Sequence, residues 1–169
     1  MNSMLKKIIR KLILFIRYNP YNYSIKIRNY FYKYLFKSSG NNFNILDSVV
    51  INFPENISIG NKVSIHQFCY FDSQDEIIIG SNVSIGNSVK FITSSHKFLD
   101  QDDLIKNQGV TTKPIIVEDN VWIGCGVSIL QGVKISRNSI IGANSLVNKD
   151  IPQDSIAAGV PCKVIRERK

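Results

Sequence analysis

The chain has 169 residues, of which 44% are hydrophobic and 20% charged, values typical of one globular domain with an attached segment. Its three cysteines, Cys69, Cys125 and Cys162, are widely spaced and lack paired zinc-ligand spacing. This pattern favours reduced thiols in a cytoplasmic protein over a disulfide framework. We find no secretory signal and no run near the roughly 20 apolar residues of a membrane span.

The net charge of +8 belongs to one end of the chain. Residues 1–46 contain nine Lys or Arg and no Asp or Glu, so the remaining residues carry twelve basic and thirteen acidic groups. A basic arm occurs in some nucleic-acid-binding proteins, but the rest of this chain has no basic stripe and no known nucleic-acid-recognition motif. We therefore expect no nucleic-acid partner.

Residues 4–17, MLKKIIRKLILFIR, predict an amphipathic helix with Lys6, Lys7, Arg10 and Arg17 largely off its apolar face. Residues 23–37 predict a second helix. One interpretation is that the first helix packs on the main domain and caps an open end. The other is a basic amphipathic helix on an anionic membrane surface. Both interpretations stay open, because one face of the helix could pack on the main domain while the opposite face contacts a membrane. The apolar face comprises Leu5, Ile8, Ile9, Leu12, Phe15 and Ile16.

Apolar residues recur every six positions from about residue 50. Small or polar residues such as Gly60 and Gly124 commonly follow them, and further apolar residues lie two positions earlier. This period fits neither a helix nor an ordinary strand. It is typical of a chain that makes a short strand, turns and repeats, three units to a coil: a parallel β-helix. The three runs are Phe53, Ile59, Ile65 and Phe71; Ile79, Ile85 and Phe91; and Val117, Ile123, Ile129, Ile135, Ile141 and Val147.

The period is interrupted between about Thr93 and Pro114. Loops of about 20 residues are uncommon inside a compact domain and are usually functional or disordered. This segment contains His96, one of two histidines in the chain, and three carboxylates at Asp100, Asp102 and Asp103. We expect the loop to project from the β-helix, where it could reach a neighbouring subunit.

Two segments, IGSNVSIGNSVKFITSSHKF and the stretch from KPIIVEDNVWIGCG to AGVPCKVIRERK, resemble the hexapeptide-repeat O-acetyltransferases. That family includes galactoside, maltose and nodulation-factor acetyltransferases and many capsule or lipopolysaccharide acetyltransferases. The resemblance covers about residues 50–169. It implies a left-handed parallel β-helix, a homotrimer with active sites between subunits, and acetyl-CoA as co-substrate.

The expected architecture is therefore an all-β main domain over residues 47–169, preceded by a basic, helical segment over residues 1–46. The main domain is a left-handed parallel β-helix of hexapeptide repeats. It would carry a projecting loop at about 93–114 and a coenzyme-binding tail at about 150–169. Residues 1–46 do not resemble the helical acceptor domain of the galactoside and maltose enzymes, which leaves the acceptor open.

The resemblance assigns His96 as the general base. Acyl transfer from a thioester to a hydroxyl needs a base, because an alcohol is a poor nucleophile until its proton leaves. An imidazole titrates near working pH and can return that proton to the departing CoA thiolate. The competing interpretation is an exposed loop histidine with no role.

The resemblance also assigns four coenzyme-binding residues. The backbone N–H of Cys125 is expected near the thioester carbonyl, and Ala143 near the pantetheine arm. Lys163 and Arg166 match a basic pair expected to bind the adenosine phosphates. The competing interpretations are a buried structural cysteine, a corner alanine chosen for turn packing, and a solvated basic tail. His66 lies where sugar acetyltransferases often have an acceptor-binding Asn, although a corner histidine with a structural partner fits as well.

We expect an acetyl-CoA-dependent O-acetyltransferase that modifies a sugar hydroxyl, in a cell-surface polysaccharide or its precursor. Alternatives are N-acyl transfer to an amino sugar, O-acetyl transfer to an antibiotic or serine, and a non-enzymatic β-helix scaffold. Zinc-dependent carbonic anhydrases on this fold use three histidines, whereas this chain has two, so no metal is expected. The expected location is the cytoplasm, with residues 1–46 as a candidate contact with the inner membrane face.

Overall fold

The computed structural model describes residues 3–169, except for the side chains of Ser3 and Lys6. The expected position of Lys6 off the apolar face thus lies outside the described residues. Two helices, α1 (Ser3–Ile16) and α2 (Asn22–Leu35), precede a series of short strands. Among residues 3–169, no helix is both long enough and apolar enough to cross a membrane.

The strands form three parallel sheets that the chain visits in turn, one strand per sheet in each coil. The first sheet contains β1 (Ser38–Ser39), β4 (Ile57–Ile59), β7 (Ile77–Ile79), β12 (Ile115–Val117) and β15 (Lys134–Ile135). The second contains β2 (Asn44–Ile45), β5 (Ser64–Ile65), β8 (Ser84–Ile85), β13 (Trp122–Ile123), β16 (Ile140–Ile141), β18 (Ser155–Ala158) and the antiparallel β19 (Lys163–Glu167). The third contains β3 (Val50–Asn52), β6 (Tyr70–Asp72), β9 (Lys90–Ile92), β14 (Ser128–Leu130) and β17 (Leu146–Val147).

Three corners join the sheets, and we number them in chain order. The first corner leads from the first sheet to the second, the second corner from the second sheet to the third, and the third corner back to the first sheet. A separate antiparallel hairpin leaves at the third corner. It is made of β10 (Ser94–His96) and β11 (Val110–Thr112).

The predicted six-residue period is confirmed by register and burial. In the second sheet, Ile65 pairs with Ile85, Ile85 with Ile123, and Ile123 with Ile141, and all four side chains are buried. In the third sheet the rings of Phe71 and Phe91 stack with centroids 4.6 Å apart. The interior is therefore made of columns of like side chains, one from each coil.

The small residues after the repeat positions let the coils stack closely. A Cβ added to Gly124 would lie 2.7 Å from the backbone N of Ala143, and one added to Gly86 would lie 2.8 Å from that of Cys125. Three residues after most repeat positions the chain adopts positive φ, often at Asn, as at Asn82 (59°) and Asn138 (61°). Asparagine tolerates this left-handed conformation better than most residues.

Two details differ from the sequence predictions. Phe53 is not a repeat position: it is 50% exposed at positive φ, and Ile51 pairs with Phe71 instead. The third corner carries two extra residues in the early coils, which shifts the run. The β-helix also begins at Ser38, so residues 38–46, which we had placed with the helical segment, belong to its first coil.

Both helices pack against the first coil. Ile9 and Ile13 of α1 and Tyr32 of α2 are buried in one cluster with Ile45. Arg28 of α2 is also buried. Its Nε donates to the carbonyl of Ile45 (3.0 Å), and its side chain also donates to the carbonyls of Ile16 and Asn19 (both 2.8 Å). One guanidinium therefore links both helices to the β-helix, and its burial lowers the pKa of Arg28.

We expect Arg28→Ala to lower the free energy of unfolding by about 3 kcal/mol, because three carbonyls lose a charged donor and a cavity remains. Chemical denaturation followed by circular dichroism measures the change. Lys33→Ala, at an exposed position of the same helix, is the control and should change stability by less than about 0.5 kcal/mol. Equal stability of the two variants would contradict the linking role of Arg28.

Candidate active site

The hairpin that carries His96 is anchored at its base by Thr93. This buried hydroxyl donates to the carbonyl of Asp72 (2.7 Å) and accepts from the N–H of Asp75 (3.0 Å). The carbonyl of Thr93 accepts from the N–H of Lys113 (3.0 Å). The two ends of the insertion are thereby fixed to the third corner, which gives the projecting segment a defined starting direction.

His96 ends strand β10 and is exposed. It lines a cleft of about 630 Å³ together with Phe98, Thr111 and Gln131. Within the part of the chain that the structure describes, the His96 imidazole has no hydrogen-bond partner. One wall of the cleft belongs to the hairpin and another to the third corner, which leaves the imidazole facing open space.

Two of the three loop carboxylates organise the hairpin tip. Oδ1 of Asp103 accepts from Leu104 N (2.8 Å) and from the side chain of Asn107 (3.0 Å). Oδ1 of Asp100 accepts from Asp102 N (3.0 Å), and Gln108 donates to the carbonyls of Asp100 (2.7 Å) and Asp103 (2.9 Å). These contacts indicate a structural role for the carboxylates.

The second corner places Cys125 and Ala143 one coil apart in one column. The strands before them pair Ile123 with Ile141, and Asn144 N donates to the carbonyl of Cys125 (2.8 Å). Both residues are exposed. Among the described residues, neither the Cys125 N–H nor the Ala143 N–H has an acceptor. These two amides are available to donate to a ligand.

Side chains shorten along this column of the second corner, from Gln67 and Asn87 to Cys125 and Ala143. The backbone therefore becomes more accessible toward the C-terminal end. Asn87 was missed by sequence reasoning. It donates to Oε1 of Gln67 (3.0 Å), and its Oδ1 lies 4.0 Å from Sγ of Cys125. Ile85 and Ile123 occupy the same repeat position on either side of the hairpin insertion, and aligning them would have placed Asn87 beside Cys125.

The three thiols have different environments. Cys125 is exposed, whereas Cys69 and Cys162 are buried. Burial raises the pKa of the Cys69 thiol to about 12 and also raises the pKa of Cys162. The alternative of a buried structural cysteine at position 125 is therefore wrong.

Lys163 and Arg166 lie on β19, the last strand of the second sheet, and both are exposed. Lys163 pairs with Ala158, which stacks on Gly142, the residue before Ala143. Arg166 pairs with Ile156, further from the corner. The basic pair thus extends from the column of Cys125 and Ala143 along the outer edge of the same sheet.

His66 lies on the second corner as well, two coils from Gly124. Its backbone N–H donates to the carbonyl of Ile85 (3.0 Å), and its side chain is half-buried. It lines a cleft of about 500 Å³ with Asn22, Lys26 and Asn44. Within residues 3–169 no hydrogen bond of the His66 imidazole to the protein is found, so the alternative of a structural partner has no support.

The structure therefore brings together His66, Cys125, Ala143 and Lys163 along the second corner. It does not bring His96 to them, because His96 lies at the third corner of the same chain. Trp122 is exposed on the second sheet. Among the described residues, no group of three or more His, Cys, Asp or Glu is placed to hold a metal ion.

A family model described as bacterial transferase hexapeptide (six repeats) matches residues 114–149. The galactoside O-acetyltransferase of Lactococcus lactis is 36% identical over 136 residues, and that of Escherichia coli K12 is 38% identical over 135 residues. Each alignment covers 80% of this chain. The chain spans 65% and 66% of the lengths of these two curated relatives, slightly less than two thirds.

Solved structures match over nearly the whole chain. A hexapeptide-repeat acetyltransferase of Vibrio cholerae complexed with acetyl coenzyme A is 32% identical with a TM-score of 0.86, covering 99% of this chain and 88% of that one. A galactoside acetyltransferase in complex with coenzyme A is 31% identical with a TM-score of 0.85, covering 100% and 84%.

These matches confirm the left-handed parallel β-helix. They also correct our view of the N-terminal segment. The structural match to the galactoside enzyme covers the whole chain, so the two helices belong to the shared architecture even though their sequence had shown no resemblance. The chain belongs to the hexapeptide-repeat acetyltransferase family.

Proposed function

We propose that this protein is an acetyl-CoA-dependent O-acetyltransferase that works as a homotrimer and acetylates a sugar hydroxyl. The proposal rests on the arrangement of groups at the second corner. There, the N–H groups of Cys125 and Ala143 lack acceptors within the described chain, next to small side chains and the basic strand β19. This arrangement suits an extended ligand with carbonyl groups at one end and phosphates at the other.

His96 supplies the base. Its imidazole takes the proton of the acceptor hydroxyl while that oxygen attacks the thioester carbonyl carbon. A tetrahedral intermediate forms, whose oxyanion accepts a hydrogen bond from the Cys125 N–H. Collapse of the intermediate breaks the carbon–sulfur bond. The departing thiolate then takes the proton from the His96 imidazolium, so the enzyme returns to its starting state.

The separation of these groups within one chain supports the homotrimer. His96 occupies the third corner and the coenzyme-binding residues the second, so one subunit alone cannot bring base and thioester together. In a closed threefold arrangement, the third corner of one subunit can face the second corner of the next. The exposed apolar residues of the hairpin, such as Phe98 and Leu99, then lie beside a neighbouring subunit. Each site takes residues from two chains.

His96→Ala should lower turnover by about 10²–10⁴-fold, the usual contribution of a general base. The hairpin lies outside the β-helix, so folding and CoA binding should be unchanged. Acetyl transfer is measured from free CoA thiol released in the presence of a sugar acceptor.

Thr112→Ala, at an exposed position of β11 in the same hairpin, is the matched control and should retain activity. Near wild-type turnover in a folded His96→Ala trimer would exclude His96 from the mechanism.

Cys125 reports on coenzyme binding, because it is the exposed thiol among the three. We expect iodoacetamide to alkylate Cys125 first and CoA to slow that reaction. The CoA and 3′-dephospho-CoA of this assay carry an acetylated sulfur, because a free CoA thiol would itself consume iodoacetamide. Lys163→Ala/Arg166→Ala should need about tenfold or more CoA for equal protection, since two charge-assisted contacts to phosphate are lost. Mass spectrometry of the modified peptides gives the rates.

Wild-type protein with 3′-dephospho-CoA is the complementary control, because this ligand lacks the 3′-phosphate while the protein keeps both basic side chains. Unchanged alkylation of Cys125 at saturating CoA would place the coenzyme elsewhere. If CoA protects Cys125 equally well in the variant and in the wild type, Lys163 and Arg166 do not bind the coenzyme phosphates.

A sugar acceptor is supported by the names of the galactoside O-acetyltransferase relatives and by the side chains of Asn22, Asn44 and Ser64, which line the cleft beside His66. We place the acceptor hydroxyl in a cell-surface polysaccharide or its precursor. The compartment that fits this role is the cytoplasm, where acetyl-CoA is available.

The surface of α1 supports an additional contact with the inner membrane face. Ile9 and Ile13 are buried, but the adjoining side of the helix exposes an apolar arc flanked by lysines. Such a face suits the interface of an anionic bilayer. Three copies in a trimer would add avidity. The arc comprises Leu5, Ile8, Leu12 and Phe15, and Lys7 and Lys11 flank it.

We expect the full-length protein to sediment with phosphatidylserine-containing vesicles at low salt and to be released at high salt, because surface charges are screened. Phe15→Gln should reduce the bound fraction several-fold. Leu14→Gln, at an exposed position on another side of α1, should leave it unchanged. Equal binding of both variants, or no sedimentation of wild type, would rule out the arc as a membrane contact.

A further inference from the structure

One side of α2 carries an alternating row of amide and basic side chains. Asn22, Lys26, Asn29 and Lys33 are spaced by four, three and four residues, which places them on one stripe of the helix. The stripe is about 16 Å long at the rise of an α-helix. It is therefore longer than a single sugar ring.

This stripe forms one wall of a groove whose other wall is the β-helix. Two adjoining clefts, of about 500 and 360 Å³, share Lys26 and Asn44 and so make one continuous depression. The first cleft reaches His66. The second runs past Tyr30 to the first corner at Asn41. The groove thus starts at the candidate acceptor site and leads away from it along α2.

Hydrogen bonds hold the amides in the middle of the groove. Oδ1 of Asn29 accepts from the N–H of Ile45 (3.0 Å), and Nδ2 of Asn29 donates to Oδ1 of Asn44 (3.1 Å). The Nδ2 group of Asn44 has no acceptor among the described residues. In these oriented amides the Nδ2 hydrogens of Asn44 and the second Nδ2 hydrogen of Asn29 have no acceptor within the described chain, and they can donate to sugar hydroxyls.

The positive charges of the groove are not neutralised by the protein. In the described chain, Lys26 and Lys33 have no carboxylate partner, whereas Arg10 pairs with Glu55 (2.6 Å) and Lys37 pairs with Glu76. Asp47 interacts with the buried Arg28 guanidinium and does not line the groove. No carboxylate residue lines either cleft.

We propose that this α2 groove binds an acidic oligosaccharide, the segment of the acceptor glycan that adjoins the sugar to be acetylated. The inference rests on the proposed function and adds a substrate class to it. Lys26 and Lys33 would contact carboxylate or phosphate groups on the glycan. The amides would contact its hydroxyls, and the exposed Tyr30 offers an aromatic surface for a sugar ring.

The spacing of the two lysines sets a length requirement. They are seven residues apart, which is about 10 Å along the helix axis, so with both side chains extended one acidic monosaccharide does not span them. Affinity should therefore rise from acidic monosaccharides to trisaccharides. A neutral glycan of the same length would satisfy the amides but leave both charges unpaired.

The test compares trisaccharides that carry uronic acid, sialic acid or phosphate with neutral trigalactose, by calorimetry on the full-length protein. At least one acidic ligand should bind about tenfold more tightly than the neutral one, the size expected for two exposed charge pairs. The difference should shrink at high salt. Lys26→Gln/Lys33→Gln should abolish it. Lys149→Gln, an exposed lysine at the third corner, is the control and should preserve it.

Protection of Cys125 by CoA is measured on the same samples. If CoA protects Cys125 but no acidic ligand binds more tightly than trigalactose, the groove proposal is wrong while the acetyltransferase proposal stands. The same conclusion follows if Lys26→Gln/Lys33→Gln retains the preference for acidic ligands. If CoA fails to protect Cys125 but the acidic preference is present, the groove is a glycan site on a protein of another function.

Discussion

Close stacking of one coil on the next is the constraint on which the rest of the structure depends. Each strand pairs with its equivalent one coil later, as Ile85 does with Ile123 and Ile123 with Ile141. Successive coils are separated by about 4.8 Å, and a Cβ at Gly124 would already collide with the backbone of Ala143. Residues far apart in sequence therefore become neighbours at the corners, where the candidate functional groups lie.

Stacking also determines where the chain can accept an insertion. A strand cannot be lengthened without breaking the ladder, but a corner can, because it lies between the paired strands. The hairpin with His96 leaves at the third corner, and Thr93 and Lys113 close its base. Ile92 and Leu130 remain paired directly beside it. A titratable side chain is thus held outside a rigid prism without loss of coil-to-coil pairing.

The fold was largely predictable because buried residues repeat with a period that no helix or flat sheet shares. The errors fell where the period changes. Phe53 falls on the six-residue period in the sequence but is exposed in the fold, because two extra residues at the third corner shift the register. The start of the β-helix at Ser38 was missed because Ser38 and Ser39, the residues of β1, are not apolar.

The candidate site was less predictable for two physical reasons. Register alone would have aligned Asn87 with Cys125, but the hairpin insertion separates them by 38 residues. His96 lies on the hairpin at the third corner, so no register along the second corner relates it to Cys125. The α2 groove escaped notice because its two walls, at Asn29 and Asn44, come from different elements, and only folding brings their amides together.

The second corner has a direction along the axis of the prism. From the helical end toward the C-terminus it presents His66, then Asn87, then Cys125 and Ala143, and finally β19 with Lys163. If coenzyme phosphates lie on β19, the acyl group must point toward the helical end. An acceptor glycan must then approach from that end, beside α2. Basic side chains with no carboxylate partner among the described residues therefore lie at both ends of this path, Lys26 and Lys33 at one end and Lys163 and Arg166 at the other. Two anionic ligands entering from opposite ends would meet at the backbone N–H groups of Cys125 and Ala143, which lie between them.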